Sequence, residues 1–179
     1  MRFILGSLSE LSDSEKVEPN NMPELEQWVL HRLSELDERV RKGYRDYDFQ
    51  GVLQSVFTFA TVELSSFYFD IRKDVLYCDG DTLERRSSRT VLDHLFHRLT
   101  SWLAPVLVFT MEEVWLERYP GDDSSIHLTD MPSTPKTWMN EELVAKWAII
   151  RQARRAVTAA LEVQRLSLIH ISEPTRLGF

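Results

Sequence analysis

Two histidines and one cysteine are the first side chains in this sequence whose types and spacing could support chemistry. His94 and His97 lie three positions apart, so both imidazoles would project from one face of a helix. Two imidazoles without further cysteines or a suitable carboxylate make a weak metal site, and no histidine carries the Glu-x-x-His spacing of di-iron bundles. Cys78 has no motif that pairs it with an activating histidine, which favours a small packing residue. We therefore expect no metal and no catalytic residue.

Carboxylate pairs and phosphate-binding loops give no stronger signal. Glu112 and Glu113 are adjacent, and adjacent side chains diverge on a helix, so a first-turn position in a helix explains them better than paired acid and base catalysis. Neither glycine-rich phosphate-loop pattern occurs in the sequence. The sequence therefore offers no obvious place for ATP, and we expect no cofactor in this chain.

Basic side chains could bind nucleic-acid phosphates, but the overall charge opposes this. The chain of 179 residues has 28 acidic and 21 basic residues and a net charge of -7. RNA binding would need a local basic face, because lysine and arginine contacts to phosphate supply most nonspecific affinity. Each basic cluster could equally be a solvated helix face. The candidate clusters are Arg39, Arg41, Lys42 and Arg45; Arg72 and Lys73; Arg85, Arg86 and Arg89; and Arg151, Arg154 and Arg155.

The elements that position these side chains are predicted to be helices. Apolar residues recur at intervals of three and four, and only six glycines and seven prolines interrupt the chain. After an N-terminal helical tail, helices are predicted to begin near Pro23, Asp48, Asp81, Thr110 and Asn140. Pro105 should end the third of these helices. Residues 74–78 and 125–128 are β-friendly, so the prediction is an all-α helical bundle with a short extended segment or two in the connectors.

The chain divides into one main domain with short flanks. Residues 1–11 resemble the end of a helix that begins upstream, residues 12–165 form the predicted bundle, and residues 166–179 fit none of its periodicity. We interpret residues 166–179 as an appended tail foreign to the natural chain. No apolar run approaches the roughly 18 residues that span a bilayer, and a single cysteine permits no internal disulfide. These features favour a cytoplasmic protein with no membrane association.

The order and amino-acid sequences of several segments resemble those of the isoleucyl-tRNA synthetase family. The segment at 64–77 matches the family's helix ending in Tyr-x-Asp-Ile-x-Lys-Asp-x-Leu-Tyr, and 103–115 matches its Leu-Ala-Pro…Phe-Thr-x-Glu-Glu-x-Trp turn. Part of the second pattern is shared with the valyl and leucyl relatives. The similarity extends over residues 2–165. The matching segments are 47–49 (YDF), 64–77 (LSSFYFDIRKDVLY), 85–92 (RRSSRTVL), 103–115 (LAPVLVFTMEEVW), 125–128 (SIHL) and 160–165 (ALEVQR).

This resemblance implies the anticodon-binding helical bundle of a class I aminoacyl-tRNA synthetase, which attaches isoleucine to its tRNA with ATP. In that family the ATP-dependent steps belong to a domain with His-Ile-Gly-His and Lys-Met-Ser-Lys-Ser motifs, and editing belongs to another domain. Neither motif is present here. The resemblance thus implies tRNA docking without catalysis, with residues 1–11 leading from the catalytic domain. The implied partners are the anticodon stem-loop of isoleucine tRNA and the catalytic and editing domains of the parent chain.

An anticodon loop is bound through base stacking and base-edge contacts while basic groups hold its phosphates. The RNA-binding candidates flank the junction of the second and third helices, where a basic ridge could form: Arg72, Lys73, Arg85, Arg86 and Arg89. The tryptophans fall on or near apolar stripes and are assigned to the core: Trp28, Trp102, Trp115 and Trp147.

Three alternatives remain open at this point. The domain could belong to the related valyl- or leucyl-tRNA synthetases. The acidic balance would suit a helical protein-interaction module without RNA binding, in which basic groups are scattered and form no coherent strip. A metal-dependent bundle would bind metal stoichiometrically.

Overall fold

The computed structural model describes the backbone of residues 1–9 and 11–172 and the side chains of residues 1–9 and 11–165. It divides into two compact units, Met1–Asn140 and Glu141–Phe179. All regular secondary structure in the described backbone is helical, which confirms the all-α prediction.

Helix α1 (Arg2–Ser7) and helix α2 (Glu24–Arg45) open the first unit. Two 3₁₀ turns, Asp13–Glu15 and Pro19–Asn21, connect them. Pro23 precedes α2 at its N-cap, and the helix buries one apolar stripe along its length. The sequence predicted this amphipathic helix correctly because its apolar spacing is a local signal.

The central helix runs without a break from Phe49 to Cys78. It consists of α3 (Phe49–Thr58), a wider π-helical stretch at Phe59–Phe69 and α4 (Asp70–Cys78). Asp48 caps its start, and its Oδ1 accepts a hydrogen bond of 2.9 Å from the Gly51 amide, as the sequence predicted. The extended segment predicted at 74–78 is wrong: these residues continue the helical ladder, and the first glycine or proline after them is Gly80.

Helix α5 (Leu83–Leu103) begins at Thr82, whose hydroxyl caps the Arg85 amide at 3.2 Å, and ends before Pro105 as predicted. Helix α6 (Val108–Arg118) begins two residues before the predicted Thr110 cap, with Leu107 at the N-cap.

The remaining connector contains two further 3₁₀ turns, Ile126–Leu128 and Lys136–Trp138. The extended segment predicted at 125–128 is therefore wrong in its last three residues. The Ser125 hydroxyl accepts a hydrogen bond of 3.1 Å from the His127 amide and closes the turn.

The core of the first unit lies where α2, the central helix and α5 meet. Trp28 and Trp102 are buried there, as predicted, and Trp115 is half-buried. Cys78 is exposed, so its prediction as a packing residue is wrong. The largest fully buried side chains include Trp28, Leu30, Leu33, Leu64, Tyr68, Leu92, Leu95, Phe96 and Trp102.

The second unit is described as one helix, α7 (Glu141–Ser172). It continues past residue 165, where the sequence predicted a change to an appended tail. Residues 173–179 of that tail lie outside the described residues, and its foreign origin stays a prediction. No helix among the described residues has the length and apolar character needed to cross a bilayer.

Candidate nucleic-acid interface

Arg72, the first predicted RNA contact, is held inside the fold by Glu26. Its Nε and Nη2 donate to the two carboxylate oxygens of Glu26, each at 2.7 Å. Glu26 is fully buried and also accepts hydrogen bonds of 3.1 Å from the hydroxyls of Tyr68 and Ser88. Burial alone would lower the pKa of Arg72, but hydrogen bonding to Glu26 and its charge outweigh burial and raise it. Arg72 therefore joins α2 and α4 and has little surface to offer a ligand.

Arg89, at the other end of the predicted set, is also an internal link. Its Nε donates to the Ser7 carbonyl at 3.1 Å, its Nη2 donates to the Ser9 carbonyl at 2.6 Å, and its Nη1 pairs with the Glu15 carboxylate. Only 5% of its side chain is exposed. It satisfies one carbonyl in the last residue of α1 and one just beyond the helix, and so holds the N-terminal segment against α5.

The other three predicted residues lie nearer the surface but among acids. Lys73 Nζ lies 3.0 Å from Asp70 Oδ1, and this hydrogen bond raises the lysine's pKa. Arg86 Nε forms an ion pair with Asp81 Oδ1 at 3.3 Å, and neither this Nε nor that of half-buried Arg85 has a hydrogen-bond partner among the described residues. The exposed acids of this region are Asp70, Asp74, Asp79, Asp81 and Glu84.

Two of the five predicted residues, Arg72 and Arg89, are thus turned into the fold, and Lys73 and Arg86 each pair with an exposed aspartate, so the five do not form one run of free cations. The physical reason is pairing: Arg72 and Arg89 are committed to internal carboxylates and carbonyls. RNA contact by Lys73, Arg85 and Arg86 stays a prediction.

Several other arginines also have internal partners. Arg32 forms a bidentate pair with Glu63 at 2.9 and 2.8 Å. Arg41 bonds Asp37 Oδ2 at 2.9 Å and the Pro132 carbonyl at 2.6 Å. These arginines fix helices and connectors, which removes them from the set that could bind phosphate.

Asp93 organises a cluster of charged groups between α5, α6 and the N-terminal loop. It pairs with Arg118, with Lys16 Nζ at 3.1 Å and with His97 Nε2 at 3.6 Å. Burial alone would raise its pKa, but hydrogen bonds from His97 and Arg118 and the Arg118 charge hold it well below its usual range. An ionised, fully paired aspartate has a structural role. No group of three potential metal ligands is found among the described side chains.

Three cations at the end of α2 differ from all of these, because they are exposed and unpaired. Arg39, Lys42 and Arg45 are spaced three apart and form no ion pair or side-chain hydrogen bond in the described part of the chain. The exposed rings of Tyr47 and Phe49 follow at the turn into α3. We call these five residues the α2–α3 tip.

The local sequence fixes the shape of the α2–α3 tip. The Asp48 amide donates to the Gly43 carbonyl at 2.8 Å and the Tyr47 amide to the Tyr44 carbonyl at 3.3 Å, which is the Schellman arrangement of a helix end. Tyr47 occupies its left-handed position, with φ of 58°. Gly43 lets the two helices approach, since a Cβ there would lie 2.5 Å from Val52 Cγ2.

Contacts to the core hold the tip in place. The Tyr44 hydroxyl donates to the Trp102 carbonyl, and its ring lies 5.8 Å from that of Phe49. The sequence marked Arg39, Lys42 and Arg45 as part of one cluster among four, but Tyr47 and Phe49 were missed. The Asp48 cap was the available signal, because it places both rings at a helix–helix turn.

Residues 26–171 match the family model described as the anticodon-binding domain of tRNA ligase. The chain is 66% identical over 166 residues to the isoleucine–tRNA ligase of Ruegeria pomeroyi, covering 92% of this chain and 17% of that protein. It is 52% identical to the isoleucine–tRNA ligase of Agrobacterium fabrum, with the same coverage, and 51% identical to that of Mesorhizobium japonicum, of which it covers 16%. The chain thus spans about one sixth of the length of these relatives.

Proposed function

Because this chain belongs to the anticodon-binding domain family of tRNA ligases, we propose that it docks the anticodon arm of isoleucine tRNA for an isoleucine–tRNA ligase. The observation that carries the proposal is the family match over residues 26–171, on a chain whose first described unit is a helical bundle. The identity of 66% to an isoleucine–tRNA ligase favours isoleucine tRNA over the valine and leucine tRNAs.

The docking role follows from what a rigid helical bundle can do. The ion pair Arg72–Glu26 locks α2 to α4, and Arg89–Glu15 fastens the N-terminal connector to α5, so that a bound RNA hairpin is held at a fixed position. Fixed positioning of a substrate is itself a catalytic contribution, because it removes the entropy cost of bringing reacting groups together. The domain would orient the tRNA while other domains carry out the chemistry.

The chemistry is assigned to parts of the enzyme outside this chain. Activation of isoleucine with ATP and editing would belong to the catalytic and editing domains, which are proposed as its partners within the parent protein. This chain would need no cofactor of its own. The proposed location is the cytoplasm, where aminoacylation of tRNA takes place.

The test is a salt-dependent titration of the full chain with a labelled isoleucine anticodon stem-loop and with the same stem carrying a scrambled loop. We expect tighter binding of the native loop and weaker binding of both RNAs as salt rises, because phosphate contacts release counterions. Equal binding of the two loops would reject sequence reading by this chain, and no binding of either would reject docking by it.

A paired variant tests the residues that the sequence selected. Arg85→Gln with Arg86→Gln removes two cations from the start of α5, and Lys136→Gln removes one exposed cation from the connector as a control. Weaker RNA binding by the α5 variant alone would assign the first turns of α5 to the interface. Unchanged binding would exclude them.

A further inference from the structure

We propose that the α2–α3 tip is the surface through which this domain holds RNA, with Tyr47 stacked on an unpaired base and Arg39, Lys42 and Arg45 on the flanking phosphates. The inference rests on the proposed function and names the surface that performs it. Neither the family match nor the relatives assign any role to these residues.

Charge availability is the first argument. The chain has a net charge of -7, and Arg32, Arg41, Arg72 and Arg89 are neutralised by internal carboxylates. Arg39, Lys42 and Arg45 keep their charge free on one surface of α2, since residues spaced three apart share a helix face. Among the exposed acids nearby, Asp48 is engaged in capping α3, and Glu38 and Asp46 form no ion pair with these cations in the described part of the chain.

The backbone of Tyr47 is the second argument. Its φ of 58° is unfavourable for a bulky side chain, and glycine is the usual residue at this position of the Schellman arrangement. Its ring is 81% exposed, with an edge contact to Phe49 at 6.3 Å. Glycine would serve the fold at this position about as well as tyrosine does. The exposed ring is therefore better explained by a ligand outside the chain.

The chemical class of that partner follows from combining the two features. Aromatic rings stack on bases of single-stranded nucleic acid regardless of base identity, while a positively charged groove follows the backbone. A helix dipole explains basic residues in the last turn of α2, but Arg39 lies six residues before the end of the helix, outside that turn, and the dipole gives no reason for Tyr47. An RNA loop, with unpaired bases and closely spaced phosphates, fits both features.

Rigidity is the third argument. Gly43 packs against Val52, Asp48 caps α3, and the Tyr44 hydroxyl donates to the Trp102 carbonyl and so fixes the end of α2. A surface that is fixed before binding loses less conformational entropy when the ligand arrives. The α2–α3 tip is therefore suited to holding one RNA conformation.

The experiment compares variants of the full chain in binding the isoleucine anticodon stem-loop and a blunt RNA duplex with the same stem sequence. Tyr47→Gly removes the ring at a position whose backbone already suits glycine, so the unfolding midpoint should hold or rise. Loss of one base stack should weaken stem-loop binding roughly 5- to 150-fold. Phe109→Ala is the matched control, since that ring is 85% exposed on α6.

The double variant Lys42→Gln with Arg45→Gln tests the proposed phosphate contacts. Loss of two phosphate contacts should reduce the slope of log affinity against log salt by about 1.4, from about 0.7 per phosphate on a single strand. Lys136→Gln, in the connector, should leave the slope unchanged.

Three outcomes would overturn the inference: tip variants that bind like the two controls, a blunt duplex that binds as tightly as the stem-loop, or no stem-loop binding by the unsubstituted chain. The first of these outcomes would favour a protein partner for this surface. Equal binding of native and scrambled loops would reject sequence reading alone, because the tip variants would still weaken binding of both loops if the inference holds.

Discussion

Replacement of Arg72 by leucine separates a structural role from an RNA-binding role. The substitution removes two of the four hydrogen bonds that reach the Glu26 carboxylate, both of 2.7 Å, and leaves those of Tyr68 and Ser88. Glu26 is 0% exposed, so water cannot replace the lost donors without the core opening. Removing one partner of a buried ion pair costs about 3–5 kcal/mol, which is a large part of the roughly 5–15 kcal/mol that stabilises a typical domain.

The assay is urea unfolding of four forms of the chain: unsubstituted, Arg72→Leu, Glu26→Gln, and both together. In the double variant the amide oxygen that Glu26→Gln introduces can still accept from the two hydroxyls, while the uncompensated charge is gone. Its stability should therefore return to within about 1–2 kcal/mol of the unsubstituted chain, since neutral replacement of a buried pair is often tolerated. The cycle should give a coupling energy of at least about 2 kcal/mol.

Lys73→Gln is the matched control, because Lys73 follows Arg72 but is exposed, and its ion pair among the described residues is with the exposed Asp70. Its unfolding curve should be unchanged. The reasoning is refuted if Arg72→Leu unfolds at the same urea concentration as the unsubstituted chain and yet binds RNA more weakly. In that case Arg72 would act at the RNA surface, as the sequence first suggested.

Two further predictions concern pH and helix packing. Burial, with the nearby charge of Arg98, lowers the pKa of His94 from 6.5 to about 4, so the unfolded chain takes up this proton first as pH falls. The contribution of His94 to the free energy of unfolding should be complete above pH 6.5 and lost between pH 6.5 and 4, by at most about 3 kcal/mol. If the free energy of unfolding of a His94→Gln chain falls equally steeply over this pH range, the prediction is contradicted. Gly43→Ala should cost about 1–3 kcal/mol in urea unfolding, because its Cβ would lie 2.5 Å from Val52 Cγ2. Gly6→Ala in α1, where no atom lies within 4 Å, should instead stabilise by about 0.5–1 kcal/mol, and equal effects of the two would disprove the close approach.

The sequence alone determined the helical architecture, because its signals act over a few residues. Apolar spacing defined α2, the Asp48 side chain marked the start of α3, and Pro105 marked the end of α5. The predictions of extended structure at 74–78 and 125–128 were wrong because they rested on β-friendly composition over short segments, which form helical hydrogen bonds instead. Local propensity decides little there, since neighbouring turns already supply the hydrogen bonds.

The tertiary structure alone decided which basic side chains are available to a ligand. Arg72 and Lys73 are adjacent and equally charged, but Glu26, 46 residues from Arg72, takes only Arg72 into the core. Arg89 is likewise committed to the Ser7 carbonyl, 82 residues away. Partners this distant leave no trace in local spacing, whereas Arg39, Lys42 and Arg45 stay free because the folded chain brings no carboxylate into contact with them in its described part. Whether a charge is buried in a pair or exposed to solvent depends on which distant groups folding brings beside it.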